Sequence, residues 1–112
     1  MEIEQRRNGV VLVLAPEGRM AIGTDDLRVR EAIRKALDAG ERKLLVDMGR
    51  VSMLDSSGVG ELVSALTSAV KRGGTLKLCG LRPRALEVLS STQLTGVFEI
   101  FDDEGEALRS FS

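Results

Sequence analysis

The chain has 112 residues, of which 43% are hydrophobic and 29% are charged, and this composition predicts one globular domain over residues 1–112 with a single core. Its formal net charge is -1 and its acidic and basic residues are interleaved, so it lacks the basic surface that nucleic-acid binding requires. It has no Trp or Tyr and only three Phe, which removes the usual platform for stacking bases.

The first predicted elements form a hairpin. Residues 10–15 are a continuous apolar run between Asn8-Gly9 and Pro16, a pattern typical of a strand buried on both faces. Residues 3–7 can supply a short partner strand through the Asn-Gly turn, which is the strongest short-range hairpin signal.

The middle of the chain predicts two helices around a buried strand. Thr24, followed by two Asp, is typical of a helix start, and the apolar stripe that follows ends at Gly40. Residues 43–48 predict the strand, and residues 48–54 are interpreted as a connector. The second helix then begins near Ser57 and ends before a Gly-Gly pair.

The last third predicts two further strands and two further helices. Residues 75–79 and 97–101 are the strands, Pro83 stands at a favoured first helical position, and residues 104–111 form a terminal helix. The predicted order is β-β-α-β-α-β-α-β-α. Because parallel neighbours need crossover connections, this order predicts an α/β fold with a mostly parallel sheet and an N-terminal hairpin.

The motif Asp55-Ser56-Ser57-Gly58 lies where the connector gives way to the second helix. A hydroxyl or carboxylate there can simply cap the helix, since Ser and Asp are preferred N-cap residues. The same helix start, with its unpaired N–H groups and positive dipole end, also tolerates a phosphate on a serine. Ligand sites in parallel sheets lie beyond the carboxyl ends of the strands, and this location favours a function for the motif.

The chain has few of the side chains that catalysis and metal binding need. The chain has no His, so a Ser-His-Asp triad and the commonest transition-metal ligand are both excluded, and we predict a protein that is not an enzyme and needs no metal or cofactor. Cys79 is the only cysteine and lies in an apolar run, where we interpret it as a buried small hydrophobe. No apolar signal core and no run of about 18 apolar residues occur, which predicts a cytoplasmic protein without membrane contact.

With these elements and motifs in this order, the chain resembles a STAS domain, and specifically the small bacterial anti-sigma factor antagonists. The residues that carry the resemblance are the opening hairpin with Pro16-Glu17-Gly18, the segment 47–60 that includes Asp-Ser-Ser-Gly, the Gly-Gly turn before a strand, and residues 94–101. It covers nearly all of the chain.

The resemblance implies a partner switch that regulates transcription, as in stress responses. In the family, the second serine of the motif, here Ser57, is phosphorylated by an anti-sigma factor that is also a serine kinase, and a phosphatase reverses the modification. The unmodified domain, a monomer or weak dimer, binds that anti-sigma factor and so frees a sigma factor. This protein would then be a substrate and a ligand.

The resemblance also suggests a partner-binding surface of Asp55, Ser56, Ser57, Gly58, Arg19, Met20 and Ile22. Asp55 either orients the Ser57 hydroxyl or only caps the helix, and Ser56 fits a cap or loop residue better than a second phosphorylation site. Gly58 and Gly60 leave room for a partner's backbone, although Gly60 fits an ordinary close-packing residue equally well.

One position departs from the family pattern. Family members often carry a carboxylate in the loop that faces the phosphorylated serine, and Ala21 stands there in this chain. Arg19 instead changes the local charge, and Met20 and Ile22 give the loop an apolar face. Asp25 or Asp26 would replace the carboxylate only if the loop is rearranged.

Two other readings are open. The domain can be a STAS scaffold or accessory module of a stress-signalling or transport complex, with its serine unmodified. A nucleotide-binding enzyme is favoured only by the fold class and the Gly-rich turn, and the chain has no phosphate-binding loop to support it.

Overall fold

Six strands and four helices form within residues 2–21, 27–94 and 96–111, the parts of the chain that this computed structural model describes. In chain order they are β1 (Glu2–Asn8), β2 (Val11–Met20), α1 (Leu27–Asp38), β3 (Lys43–Asp47), β4 (Val51–Leu54), α2 (Ser56–Lys71), β5 (Thr75–Cys79), α3 (Pro83–Ser91), β6 (Ile100–Phe101) and α4 (Glu104–Ser110).

The strands form one mixed sheet in the order β1-β2-β3-β5-β6. β1 and β2 are antiparallel and joined by the hairpin turn, while the pairs of β2 with β3, β3 with β5 and β5 with β6 are parallel. The long strand β2 has two partners along one edge, because its first half pairs with β3 and its last residues pair with β4. β4 is thus brought beside the end of β2, and it leads directly into α2.

The core has two layers, one on each face of the sheet. Alternate residues of β2 point to opposite faces, so that Leu12 and Leu14 join the larger cluster while Val11 and Val13 join the smaller. Helices α1, α2 and α3 cover the larger cluster, and α4 covers the smaller one with Ala107. A strand flanked by helices on both faces explains the continuous apolar run predicted for β2.

A buried lysine ties α4 to the sheet. Lys77 on β5 is 7% exposed, and its Nζ donates hydrogen bonds to the Ser110 backbone oxygen at 3.1 Å and to Ser110 Oγ at 2.9 Å. The same Nζ lies 3.1 Å from Glu99 Oε2 and 4.5 Å from the centroid of the Phe111 ring. The charge is therefore compensated at its tip while its stem lies in the core.

The α/β class and the N-terminal hairpin are confirmed, and some element limits are corrected. The predicted connector contains a strand, β4, and the last strand is limited to Ile100–Phe101. β2 continues past Pro16 to Met20, and Val10, which was predicted to be buried, is 67% exposed. The predicted start of the first helix at Thr24 falls outside the described residues.

Candidate functional site at the start of α2

Asp55, and neither serine, caps α2. Its backbone is extended, with φ -121° and ψ -173°, and its Oδ1 accepts hydrogen bonds from the N–H groups of Ser57 at 2.9 Å and Gly58 at 3.2 Å. Two of the N–H groups that a helix start leaves without an intrahelical partner are satisfied in this way. The capping interpretation of Asp55 is therefore correct, and the two serines become the first residues of the helix.

The hydroxyl of Ser57 is not used by the described part of the fold. Ser57 is half-buried and Ser56 is exposed, and the hydroxyl of neither forms a hydrogen bond to a residue that the structure describes. A covalent group added to the Ser57 hydroxyl would thus break no hydrogen bond among these residues. The site offers a serine hydroxyl on a backbone that the Asp55 cap fixes.

Gly58 holds the start of α2 against the end of β2. A Cβ at this position would lie 2.0 Å from the Met20 carbonyl oxygen and 2.7 Å from Leu54 Cδ1. The space that a side chain would need is therefore occupied by the chain's own backbone. The room predicted there for a partner's backbone does not exist. Gly60 is different, because a Cβ there would meet nothing within 4 Å, and its interpretation as a close-packing residue is wrong.

The end of β2 forms the second wall of the site. Met20 pairs with Leu54, and the Met20 carbonyl oxygen accepts a hydrogen bond from the Asp55 N–H at 3.4 Å. Met20 is 0% exposed and Ala21 is 1% exposed, so both side chains lie in the interior. The prediction that Met20 gives the loop an apolar face for a partner is therefore wrong. Arg19 is exposed, whereas Ile22, Asp25 and Asp26 lie outside the described residues.

A groove that the sequence analysis missed adjoins this site. It has a volume of about 630 Å³ and lies between β4 and the first turns of α3. It is lined by β4 residues and by α3 residues with the arginine that precedes them, namely Val51, Ser52, Met53, Leu54, Arg82, Pro83, Arg84, Ala85 and Val88. No local sequence pattern joins these segments, because they meet only once the sheet has formed.

The remaining candidate groups are structural. Cys79 is fully buried, and burial, with the Asp47 carboxylate nearby, raises the pKa of its thiol to about 12. Such a thiol stays protonated and unreactive at neutral pH. Within the described ranges, no group of three or more Cys, Asp or Glu side chains is placed to hold a metal ion, and no helix is long and apolar enough to span a bilayer.

The fold and this site define a small α/β domain that presents a serine hydroxyl where a strand end meets a helix start. The family model described as STAS domain matches residues 2–107, and the chain belongs to the STAS domain family. A relative from Thermotoga neapolitana, named as an anti-sigma factor antagonist homologue, is 31% identical over 98 residues, which are 88% of this chain and 87% of that protein.

Two further likenesses agree with this assignment. The anti-sigma-B factor antagonist of Listeria monocytogenes is 33% identical over 88 residues, covering 75% of this chain and 77% of the relative. A crystal structure of a Thermotoga maritima protein, described as an anti-sigma factor antagonist, superimposes with a TM-score of 0.87 at 25% identity and covers 96% of this chain and 92% of that one.

Proposed function

We propose that this protein is an anti-sigma factor antagonist whose binding is switched by phosphorylation of Ser57. The observation that carries the proposal concerns the Ser57 hydroxyl. It lies on a helix start that Asp55 and Gly58 fix in place, and it makes no hydrogen bond to a described residue. The names of its relatives supply the class of partner. The partner is an anti-sigma factor with serine kinase activity, and a serine phosphatase restores the unmodified form.

In this proposal the protein is the substrate and the ligand, and the kinase supplies the catalysis. The unmodified domain binds the anti-sigma factor in the cytoplasm and so releases a sigma factor for transcription. The proposed contact surface consists of Asp55, Ser56, Ser57 and Arg19. Met20 is left out because its side chain is buried, Ile22 because it lies outside the described residues, and Gly58 contributes by positioning the loop.

Electrostatics explain why the modification would act as a switch. A phosphoserine carries about -1.5 to -2 charges at pH 7, and beside Asp55 it brings roughly three negative charges into one loop. Burying such a group against a partner without a compensating cation costs several kcal/mol. Because each 1.4 kcal/mol changes affinity about tenfold, we expect phosphorylation to weaken binding by about two orders of magnitude or more.

The first experiment is intact-mass and peptide mass spectrometry of the protein purified from its own host, with and without phosphatase treatment. We expect one phosphate, confined to Ser57 and removed by the phosphatase. If no phosphate occurs under any growth or stress condition, the regulated switch is wrong and the domain is a constitutive binding or scaffold module.

Variants test the switch directly. Ser57→Asp is expected to weaken binding of the purified anti-sigma factor about a hundredfold, by the same charge argument. Ser57→Ala should bind like the wild type and resist release by kinase and ATP. Ser56→Ala is the matched control, because it removes the neighbouring hydroxyl and should leave both binding and release unchanged. Equal binding by Ser57→Asp and Ser57→Ala would contradict the proposal.

A further inference from the structure

The groove between β4 and α3 has the walls of a peptide-binding site. All four consecutive residues of β4 line it. Because each face of a strand presents only alternate residues, a groove lined by consecutive residues follows the edge of the strand. Its walls are mostly apolar, and Met53 is 46% exposed there although it is a large hydrophobic residue. Within the described residues, β4 pairs with β2, and its other edge pairs with no strand.

The groove also carries positive charge. Among the residues that the structure describes, Arg82 and Arg84 line it and no acidic residue does. Arg19 does not line the groove but lies next to it on β2, with its Nη2 3.4 Å from Met53 Sδ. None of these three arginines forms an ion pair with a residue that the structure describes.

Several other arginines of the fold form ion pairs. Arg6 binds Glu104 at 2.9 Å, Arg50 binds Glu4 at 2.8 Å, and Arg72 binds Asp38 at 2.5 Å. Arg82 is held in place by donating from Nε at 3.2 Å and from Nη2 at 3.0 Å to the Gly49 carbonyl oxygen. A positioned arginine beside an apolar wall suits a carboxylate that is followed or preceded by an apolar side chain.

The groove is continuous with the proposed switch. β4 ends at Leu54 and Asp55 caps the helix that carries Ser57, so a partner that contacts the serine reaches the groove along the same strand. We infer that the groove receives an extended segment of the anti-sigma factor that carries a carboxylate next to an apolar side chain, which adds to the open edge of β4. This inference rests on the proposed function and specifies the chemistry of the partner.

The test compares charge variants of Arg84 in binding to the purified cognate anti-sigma factor. Arg84 is exposed and makes no hydrogen bond or ion pair to a described residue, so its substitution should not disturb the fold. We expect Arg84→Glu to weaken binding about tenfold and to reduce its dependence on salt, because a charge at the rim of an interface steers association. Arg84→Lys should retain binding within about twofold, since it retains the charge.

Arg34→Glu is the matched control. Arg34 is an exposed arginine on α1, outside the groove, and its reversal makes the same change in net charge. We expect its affinity to remain within about twofold of the wild type, because Arg34 lies outside the groove and its interaction with the neighbouring Asp38 carboxylate is exposed to solvent. Hydrogen exchange of the wild-type complex supplies a second measurement, in which the amides of β4 should gain protection when the partner binds.

Several outcomes would overturn the inference. If Arg84→Glu binds like Arg34→Glu and β4 gains no protection, while Ser57→Asp still weakens binding, the groove is not used although the proposed switch stands. If Arg84→Glu changes the sedimentation of the protein alone, a second copy of this chain occupies the groove. If the anti-sigma factor binds none of the variants or the wild type, the proposed function and this inference fail together.

Discussion

Gly58 lies where a helix start and a strand end approach too closely for any side chain. A Cβ there would meet the Met20 carbonyl oxygen at 2.0 Å, and a carbonyl in a paired strand cannot move aside as a flexible side chain can. We expect Gly58→Ala to lower the free energy of unfolding by about 2–3 kcal/mol, as overpacked sites do. Urea denaturation followed by circular dichroism measures the change.

Gly60 provides the matched control in the same helix. A Cβ at Gly60 would meet nothing within 4 Å, so Gly60→Ala adds no clash and removes the entropic cost of a helical glycine. Its free energy of unfolding should rise by about 0.5–1 kcal/mol. If the two alanine variants had the same stability, the close approach of α2 to β2 would be contradicted.

The sequence identified the start of α2 but did not determine which residue caps it. Asp55, Ser56 and Ser57 all have side chains that cap helices well, and local preference hardly separates them. The choice depends on the strand that precedes them, because β4 delivers Asp55 in an extended conformation with its N–H bonded to the Met20 carbonyl oxygen. That contact is long-range and leaves no local sequence signal.

β4 illustrates the same difficulty for a whole element. Its four residues, Val51–Leu54, have the burial pattern buried, exposed, exposed, buried, which is neither the alternation of a half-buried strand nor a continuous apolar run. The strand exists because β2 continues past Pro16 and offers its last residues as a pairing edge. β5, in contrast, has four consecutive buried residues and was predicted with its limits correct.

Lys77 is one of the side chains that attach helix α4 to the sheet. Lys77→Met keeps the apolar stem but removes the donor to the Ser110 backbone oxygen and the charge above the Phe111 ring. Leaving a partly buried acceptor without its partner costs up to about 1–3 kcal/mol. We therefore expect the amides of α4 to exchange about tenfold faster or more, measured by native-state hydrogen exchange.

Lys43→Met tests whether the effect is specific. The Lys43 Nζ also reaches α4, at 3.3 Å from the Phe111 carbonyl oxygen, but this contact is exposed to solvent. Because water can replace an exposed donor, exchange in α4 should change by about twofold or less. An equally large effect of both substitutions would show that any lysine at this end of the sheet holds α4, and that burial is unimportant.

For the molecule as a whole, we expect phosphorylation of Ser57 to change charge and leave the fold intact. The serine lies in the first turn of α2, where the positive end of the helix dipole favours an anion by roughly 0.3–1 kcal/mol, and its hydroxyl supports no internal contact to a described residue. Circular dichroism and thermal unfolding of the phosphorylated protein should match those of the unmodified form. A loss of helical signal would show that the switch acts by local melting.

The Asp55 cap also decides where a phosphate could find hydrogen bonds. A helix start usually offers its free N–H groups to an anion, but here one carboxylate oxygen already takes those of Ser57 and Gly58. The phosphate and the Asp55 carboxylate would compete for the same N–H donors, and the carboxylate already accepts their hydrogen bonds. A phosphate on Ser57 would therefore be hydrated mainly by water. It would remain accessible to a phosphatase and to other proteins that bind the modified serine.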